Sequence, residues 1–432
     1  MLSENITINS AGHLCFAGHD VCELAQRFGT PLYLMDEGRI RENCRVYLNA
    51  FRKNFGENAM PAYASKAASF RRIYEIMREE GMGIDVVSSG EIFTAVKAGF
   101  PMEKSMFHSN NKTDADIRYA ISCGVGCFVV DGEDELLRLE QIAAEQGHTQ
   151  RILLRLTPGI DPHTYEAINT GRVDSKFGTA IETGQAMPLI RLALEQKHIE
   201  LAGFHCHVGS QVFEEDVFQR TANIMVGFMA EVRDELGFTA KILNLGGGYG
   251  VRYVESDPAA DIGARIGELA EHIRAVAQKH DFPMPFIVME PGRSIVADAG
   301  MTVYQVGAVK RIPGYKNYVS IDGGMGDNPR YALYGAKYTV LSGNRALEEA
   351  DFPCDLVGRC CESGDIIQPE ILLPSATCRD DIVCVCTTGA YNYSMASNYN
   401  RVPRPPIVML RDHDAYVAVR RETLEDIAAL DV

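Results

Sequence analysis

Lys66 lies in a run of mostly small residues, Tyr-Ala-Ser-Lys-Ala at 63–67. A lysine amine forms a Schiff base with an aldehyde, which makes Lys66 a candidate for covalent catalysis. Most lysines, however, are solvated charges on a protein surface. The position of Lys66 relative to other reactive side chains therefore decides its interpretation.

Other candidate functional residues also lie at the ends of short apolar runs that are predicted to form strands. These strand-end residues are Lys66, Asp85, His108, Arg155, His205, His207, Gly246, Gly247, Gly248 and Glu290. In barrels of parallel strands, active sites form at the carboxyl ends of the strands. Because nearly all of these residues fall at that end, they predict a single active site.

The apolar runs alternate with stretches of helical periodicity. They cover residues 59–64, 83–88, 105–109, 127–130, 152–157, 201–208, 241–245 and 286–289. Continuous apolar runs are typical of parallel strands buried on both faces. Eight such units predict an α/β fold, with a (β/α)8 TIM-like barrel favoured over a doubly wound open sheet.

The pattern changes after Gly292, where strand-like runs follow one another without long helices. This change predicts a C-terminal, mostly antiparallel β domain, either a barrel or a sandwich. The strand-like run at 5–9 joins that domain most economically, so the TIM-like barrel is inserted between its two parts. The predicted domains are 30–297 for the barrel, and 1–29 with 298–432 for the β domain.

Two glycine-containing turns predict a phosphate site. Gly246, Gly247 and Gly248 follow the seventh run, and Gly292 with Arg293 follows the eighth. Glycines allow backbone N–H groups to approach an anion closely, and an arginine adds positive charge. Because barrels commonly hold a phosphate after strands seven and eight, this interpretation is favoured over a purely geometric turn.

His205, His207 and Glu290 suit a site for a flat, cationic ring. The two histidines are two residues apart, so a strand through both directs them to one side. Such a pair can bind a metal ion, but no third group of ligands has fitting spacing, so ring stacking is favoured. Glu290 needs a partner if buried, either a protonated ring nitrogen or a structural salt bridge.

Three segments of the β domain carry further candidates. Residues 358–365, Gly-Arg-Cys-Cys-Glu-Ser-Gly-Asp, place Cys361 beside Glu362. A thiol beside a carboxylate can act as a general acid, although buried cysteines are more commonly inert. The loop 389–398, with Tyr391, has the composition of a pocket wall, and the loop 323–334 offers Arg330 to an anion.

Composition excludes several classes of protein. The 432 residues are 46% hydrophobic and 23% charged, which is typical of a soluble globular protein. A net charge of −16 argues against a nucleic-acid partner. We expect no membrane partner either, since no apolar run is long enough to span a bilayer and no signal peptide is apparent. Twelve cysteines without framework spacing predict reduced thiols and a cytoplasmic location.

Together the motifs resemble the fold-type III pyridoxal-phosphate-dependent decarboxylases along nearly the whole chain. Seven motifs in the family's order carry this resemblance: Tyr-Ala-Ser-Lys-Ala at 63–67, Ser-Lys-Phe-Gly at 175–178, His-Cys-His-Val-Gly-Ser-Gln at 205–211, Gly-Gly-Gly at 246–248, Glu-Pro-Gly-Arg at 290–293, Cys-Glu-Ser-Gly-Asp at 361–365 and Gly-Ala-Tyr at 389–391. The resemblance implies pyridoxal 5′-phosphate as cofactor and a homodimer with active sites shared between subunits.

The resemblance also implies roles for individual residues. Those expected to contact the cofactor are Lys66, Asp85, His207, Ser210, Gly246, Gly247, Gly248, Glu290, Gly292, Arg293 and Tyr391. Among them Lys66 is the Schiff-base lysine, His207 stacks on the ring and Glu290 pairs with its nitrogen. Cys361 is the implied proton donor and reaches into the partner subunit's site, and Lys176 and Asp365 are expected to pair across that interface.

A substrate with a distal ammonium and a distal carboxylate requires both an acid and an arginine. The chain offers Glu362, Arg330 and Tyr334, besides Arg293 and Tyr391. This set implies decarboxylation of meso-2,6-diaminopimelate to L-lysine and carbon dioxide through a pyridoxal-phosphate aldimine, the last step of lysine biosynthesis. The alternatives are a related decarboxylase of ornithine, arginine or carboxynorspermidine, and a homologue that only binds partners.

Overall fold

The computed structural model describes residues 3–160 and 174–432. It divides into two compact units. The barrel unit comprises Asn43–Gly250 and Ala260–Gly292, and the β unit comprises Met1–Glu42, Val251–Ala259 and Arg293–Val432. The domain boundaries 30–297 for the barrel, and 1–29 with 298–432 for the β domain, stay a prediction.

The strands up to the end of the barrel unit are short and mostly buried. They are β1 (Ile6–Ile8), β2 (Leu14–Phe16), β3 (His19–Asp20), β4 (Leu32–Asp36), β5 (Ala59–Ala64), β6 (Gly83–Val86), β7 (Ser105–Phe107), β8 (Cys127–Val130), β9 (Gln150–Thr157), β10 (Thr179–Ala180), β11 (Ile199–His205), β12 (Ile242–Asn244) and β13 (Phe286–Met289).

The strands of the β unit that follow the barrel vary more in length. They are β14 (Gly300–Ile312), β15 (Lys316–Ile321), β16 (Val340–Ser342), β17 (Ala350–Val357), β18 (Ile366–Pro374), β19 (Ile382–Cys386), β20 (Ile407–Arg411) and β21 (Asp414–Val419).

The α-helices are concentrated between the barrel strands. They are α1 (Val21–Phe28), α2 (Glu37–Phe55), α3 (Arg71–Glu80), α4 (Ser89–Lys97), α5 (Asp114–Ser122), α6 (Glu133–Glu145), α7 (Ala186–Glu195), α8 (Val217–Leu236), α9 (Ile262–Lys279), α10 (Arg293–Val296), α11 (Arg330–Tyr334) and α12 (Leu424–Ala428). None of the helices in the described ranges is long and apolar enough to cross a membrane.

Eight parallel strands close on themselves in the barrel unit. Their order is β5-β6-β7-β8-β9-β11-β12-β13, and β13 pairs back with β5. The predicted TIM-like barrel is therefore confirmed. Its interior is filled by apolar side chains, among them Ala62, Val129 and Leu153, each of which is at most 1% exposed. The apolar runs are continuous because interior and helix-facing positions are both buried.

The β unit contains a second, mostly antiparallel sheet, as predicted. Its main order is β18-β17-β15-β14-β4-β20-β21, and β19 pairs with both β14 and β16. Two of the pairs, β15 with β17 and β4 with β20, are parallel. The N-terminal strands β1, β2 and β3 do not enter this sheet but form their own, and Leu14 and Phe16 pack in one core with Met301 and Val303.

Five strands and two short helices of the β unit were not predicted, namely β2, β3, β4, β18, β20, α10 and α11. β18 contains Pro369 and ends at Pro374, and prolines weaken a strand pattern. β20 directly follows a proline-rich segment, and β4 lies between two helices. The segment containing Arg330 was expected to be a loop but forms the short helix α11, which ends at Gly335 in a left-handed conformation.

Candidate active site

Lys66 and Asp85 belong to the carboxyl ends of neighbouring barrel strands. β5 pairs with β6 so that Ala64 lies opposite Asp85, and Lys66 follows in a short 3-10 helix. Ser65 and Ala67 are buried, whereas Lys66 is exposed. Burial raises the pKa of Asp85, and the charges of His108 and Lys66 oppose this rise. Lys66 and Asp85 therefore interact electrostatically at this end of the barrel.

Glu290, which follows β13, is surrounded by hydrogen-bond donors. Its Oε1 accepts from His108 Nε2 at 2.7 Å and from Asn244 Nδ2 at 2.6 Å. Its Oε2 accepts from His205 Nε2 at 3.2 Å. The rings of His108 and His205 are arranged edge to face, with centroids 4.8 Å apart. Side chains from the ends of β7, β11 and β12 thus hold one carboxylate.

Glu290 is ionised although it is buried. Burial alone would raise the pKa of this carboxyl, but His108 and His205 hold it well below its usual range. Burial lowers the pKa of His205 to about 3, so its ring is neutral and donates from Nε2. An ionised buried carboxylate is a suitable partner for a protonated ring nitrogen.

Sequence reasoning counted His108 among the strand-end residues but gave it no individual role, gave Asn244 no role, and did not pair His205 with Glu290. Asn244 lies at the end of a strand-like run, as the predicted site residues do, and this was the available signal. The common partner of His108 and Asn244 could not be identified because it comes from another strand, far away in the chain.

The three consecutive glycines after β12 are required by close backbone packing. A Cβ on Gly247 would overlap the carbonyl oxygen of Glu290, and one on Gly248 would overlap that of Gly209. The N–H of Gly246 donates to Asn244 Oδ1 at 2.9 Å. The glycine loop therefore packs directly against the backbone of Glu290, and the carboxyl ends of β12 and β13 lie close together.

His207 lies just beyond β11, beside the glycine loop. Its Nδ1 accepts a hydrogen bond of 3.3 Å from the N–H of Gly247, and its side chain is only partly buried. Burial and the nearby charge of Lys66 lower the pKa of His207 well below its usual value, so the ring is neutral. Ser210, three residues further on, is also partly buried. A neutral imidazole at this place can contact a flat ring.

The structure separates the roles of His205 and His207. His205, His108 and Glu290 place potential metal ligands within 4.8 Å of one another, but these atoms bond to each other. His207 instead accepts the N–H of Gly247. The His-x-His spacing therefore does not correspond to a single pair of ligands.

In the β unit, two buried arginines share the ring of Tyr391. The guanidinium carbon of Arg293 lies 4.9 Å from the ring centroid, and that of Arg330 lies 5.4 Å from it. Arg293 also donates to the hydroxyl of Tyr253 at 2.6 Å. Arg330 lies 5.4 Å from the ring centroid of Tyr334. We call these five residues the arginine–tyrosine cluster.

Arg330 is 6% exposed, and its cationic group lacks a carboxylate partner among residues 3–160 and 174–432. Its Nε has no hydrogen-bond acceptor in the described part of the chain. Both amide atoms of the neighbouring Asn328, which is fully buried, also lack a partner there. Buried polar groups of this kind are stable when a ligand supplies the missing bonds, and an anion complements the guanidinium.

Cys361 and Glu362 lie in a loop that is ordered from within the β unit. The buried Asp365 accepts the N–H of Met325 at 2.6 Å and that of Cys360 at 2.7 Å. The N–H of Cys361 donates to Asn400 Oδ1 at 2.8 Å. Cys361 and Glu362 themselves are exposed. The loop thus presents a thiol and a carboxylate on the surface of its own chain.

Lys176 is exposed, with its Nζ 4.7 Å from the ring centroid of Phe177. Since each carboxylate oxygen of Asp365 already accepts one backbone N–H, a bond to Lys176 would have to share those oxygens. The predicted pairing of Lys176 with Asp365 of a second copy stays a prediction.

The barrel residues fit pyridoxal phosphate. An exposed lysine amine, an ionised buried carboxylate and a neutral imidazole match the aldehyde, the ring nitrogen and the ring face of that group. The glycine loop, into which no Cβ fits at Gly247 or Gly248, keeps the backbone open to a phosphate. The N–H groups of Gly246 and Gly247 already donate within the chain, which points to Gly248 as a backbone donor.

Comparison with known proteins agrees with this arrangement. Residues 37–297 match the family model described as pyridoxal-dependent decarboxylase, pyridoxal binding domain. The barrel and its lysine-containing mouth thus define an enzyme of the fold-type III, pyridoxal-phosphate-dependent decarboxylase class, with pyridoxal 5′-phosphate as cofactor.

Similarity over the full length identifies the family more specifically than the match to the family model does. The chain is 45% identical over 424 residues to diaminopimelate decarboxylase of Bacillus subtilis (98% of this chain, 96% of the relative) and 42% identical over 426 residues to that of Staphylococcus aureus (99% of each). A crystal structure of diaminopimelate decarboxylase from M. jannaschii with L-lysine matches with a TM-score of 0.92 and 33% identity, covering 100% of this chain and 99% of the other. The chain belongs to the diaminopimelate decarboxylase family.

Proposed function

We propose that this chain decarboxylates meso-diaminopimelate to L-lysine and carbon dioxide, the last step of lysine biosynthesis. The observation that carries the proposal is the buried Glu290, hydrogen-bonded by two histidines at the barrel end where Lys66 is exposed. Full-length similarity to diaminopimelate decarboxylases supports the same reaction. Bound pyridoxal phosphate supplies an aldehyde for the amine and a ring that accepts the electrons released with carbon dioxide.

The barrel residues bind and orient the reacting groups. Lys66 would hold the aldehyde of the cofactor through its amine and would release it to the substrate amine at the D-configured centre. Glu290 would accept a hydrogen bond from the protonated ring nitrogen, and His207 would contact the ring face. The phosphate would be bound by Ser210, by the backbone of Gly248 and Gly292, and by Arg293 and Tyr391, while Gly246 and Gly247 leave the room that the loop needs. Asp85 lies on the strand beside Lys66 and would contact the same group.

The distal half of the substrate requires a cation and an acid. We assign its carboxylate to Arg330, because this buried guanidinium lacks a carboxylate partner within the described ranges. Within the arginine–tyrosine cluster, Arg330 lies near the rings of Tyr334 and Tyr391, and Arg293 shares the ring of Tyr391. We assign the distal ammonium to Glu362. Ornithine lacks the distal carboxylate and would leave Arg330 without a partner, which favours diaminopimelate over the related substrates.

The protonation step is assigned to Cys361. After carbon dioxide leaves, the thiol donates a proton to the reacting carbon. Because Cys361 and Glu362 are exposed on their own chain, we infer that they complete the site of a second copy, in a homodimer with shared active sites. The expected cytoplasmic location is likewise a proposal, supported by twelve cysteines that are all free thiols.

Mixing two inactive variants tests the shared site. We expect Lys66→Ala and Cys361→Ala homodimers to be inactive, and a reassociated mixture to recover about a quarter of wild-type turnover, since random pairing gives half heterodimers with one intact site each. The control is the mixture of Lys66→Ala with the double variant Lys66→Ala/Cys361→Ala, in which no pairing contains an intact site. Absence of recovery in dimers shown by mass to have exchanged would contradict a shared site.

Product analysis tests the function itself. With meso-diaminopimelate and added pyridoxal phosphate, we expect stoichiometric L-lysine and carbon dioxide, and little turnover of ornithine, arginine or carboxynorspermidine. Preferred turnover of one of those substrates would replace the assignment within the family. A protein that binds no cofactor and turns over none of them would be a binding homologue.

A further inference from the structure

His108 is one of two close partners of Glu290 Oε1, with Asn244, that the assigned mechanism does not use. Its Nε2 lies 2.7 Å from Glu290 Oε1 and 3.8 Å from Asp85 Oδ1. Asp85 Oδ1 has no hydrogen-bond partner in the described residues, so the N–H at Nε2 of His108 donates to Glu290 and not to Asp85. Because a carboxylate only accepts, His108 must carry a hydrogen on Nε2 in this arrangement.

The position of His108 is enforced by a buried ion pair. Lys112 Nζ, which is fully buried, donates to Ser109 O at 3.1 Å, to Val129 O at 2.8 Å and to Glu135 Oε1 at 2.7 Å. Ser109 has a φ of 142°, a conformation that residues with a Cβ rarely adopt. A strained residue directly after His108, fixed by a buried lysine, determines where the imidazole lies.

The donors divide unequally between the two oxygens of Glu290. Oε1 receives two short hydrogen bonds, from His108 and Asn244, whereas Oε2 receives one of 3.2 Å from His205. Oε2 therefore has the larger remaining capacity to accept. If the three donors served only to stabilise the buried carboxylate, we would expect Oε2 to accept more than one hydrogen bond of 3.2 Å.

We propose that His108 is a positioning residue that keeps Glu290 ionised and occupies Oε1, so that Oε2 accepts the hydrogen bond of the protonated cofactor nitrogen. This proposal rests on the proposed function, because it concerns the same cofactor. It adds the residue that follows β7 to the group that determines how strongly the ring nitrogen is held. His108 itself touches neither substrate nor cofactor in this role.

Cofactor binding to the apoenzyme provides a test that does not depend on turnover. We compare pyridoxal phosphate with 1-deazapyridoxal phosphate, which has a C–H in place of the ring nitrogen. The variants are His108→Leu, which removes the donor, and His108→Gln, whose amide nitrogen reaches the place of Nε2. His108→Asn, whose amide is one bond shorter, is the matched control if the leucine variant fails to fold.

A second control is His198→Leu. His198 also binds a carboxylate, with Nδ1 2.9 Å from Glu140 Oε1, but it precedes β11 at the opposite end of the barrel. We expect it to change the affinity for neither compound. This variant shows whether losing a histidine–carboxylate hydrogen bond elsewhere in the barrel unit changes cofactor affinity.

For His108→Leu we expect the Kd of pyridoxal phosphate to rise about tenfold, as expected for a lost bond to a charged group, and that of the deaza compound to change less than about twofold. His108→Gln should bind pyridoxal phosphate within about threefold of wild type, and His108→Asn should behave like the leucine variant. Equal weakening of both compounds, or of neither, would overturn the proposal, as would a glutamine variant no better than asparagine. Product formation by the wild type tests the proposed function separately.

Discussion

Lys66→Ala is expected to lower kcat by at least about 10³-fold and to remove the visible absorbance of the lysine-bound cofactor. Lys66 is exposed between the buried Ser65 and Ala67, and it forms no ion pair among the described residues. Removing its side chain therefore leaves the packing intact. We expect the free energy of unfolding of the apoenzyme to change by less than about 0.5 kcal/mol.

Two further variants separate the amine from its charge. Lys66→Arg keeps a positive charge near Asp85 but offers no amine, so we expect it to be as inactive as the alanine variant. Lys97→Ala removes another exposed lysine of the barrel unit, whose Nζ lies 5.3 Å from the ring centroid of Phe93, and should keep wild-type turnover. Substantial turnover by Lys66→Arg would show that the lysine acts only through its charge.

Arg330→Met is expected to lower kcat/KM for meso-diaminopimelate by about 100-fold, because a charged hydrogen-bonded contact to the distal carboxylate is lost. Methionine retains an apolar stem to pack against Tyr334 and Tyr391, so the loss of the charge dominates. The same contact is made by the product, and inhibition by L-lysine should weaken in parallel. Steady-state kinetics with both compounds measure the two effects.

A substrate without the distal carboxylate identifies the origin of that loss. D-Lysine has the D-configured reacting centre and a distal ammonium but no second carboxylate. Its slow turnover should be the same in wild type and Arg330→Met. Arg311→Met is the matched control, since Arg311 also lies over an aromatic ring, that of Phe352 at 4.6 Å, in the β unit. A uniform loss with both substrates would remove Arg330 from the distal contact.

The barrel could be predicted well because its strands are buried on both faces. The runs 59–64, 127–130 and 286–289 coincide with β5, β8 and β13. Strands of the β unit were harder to identify, since β18 contains Pro369 and ends at Pro374. There, the pairing partners that stabilise each strand are distant in the chain.

The position of the active site could be predicted from the sequence, but the hydrogen bonds between its residues could not. Lys66 and Glu290 were identified as strand-end residues, and the structure places them after the neighbouring strands β5 and β13. That His108 and His205 both bind Glu290 depends on the register between strands and on side-chain rotamers. Similarly, the engagement of the Gly246 and Gly247 N–H groups within the chain follows from the detailed course of a loop. Sequence patterns contain neither kind of information.

The placement of β4 has a consequence for the order of folding. Met35 pairs with Gly300 in β14 and Tyr33 pairs with Ile407 in β20, so β4 lies between two strands made much later during synthesis. Until then its backbone groups have no ladder partners, and contacts this distant in sequence form slowly. The barrel strands, although they follow β4 in the chain, are all available earlier. The first strand of the main β-unit sheet is therefore among the last to be fixed.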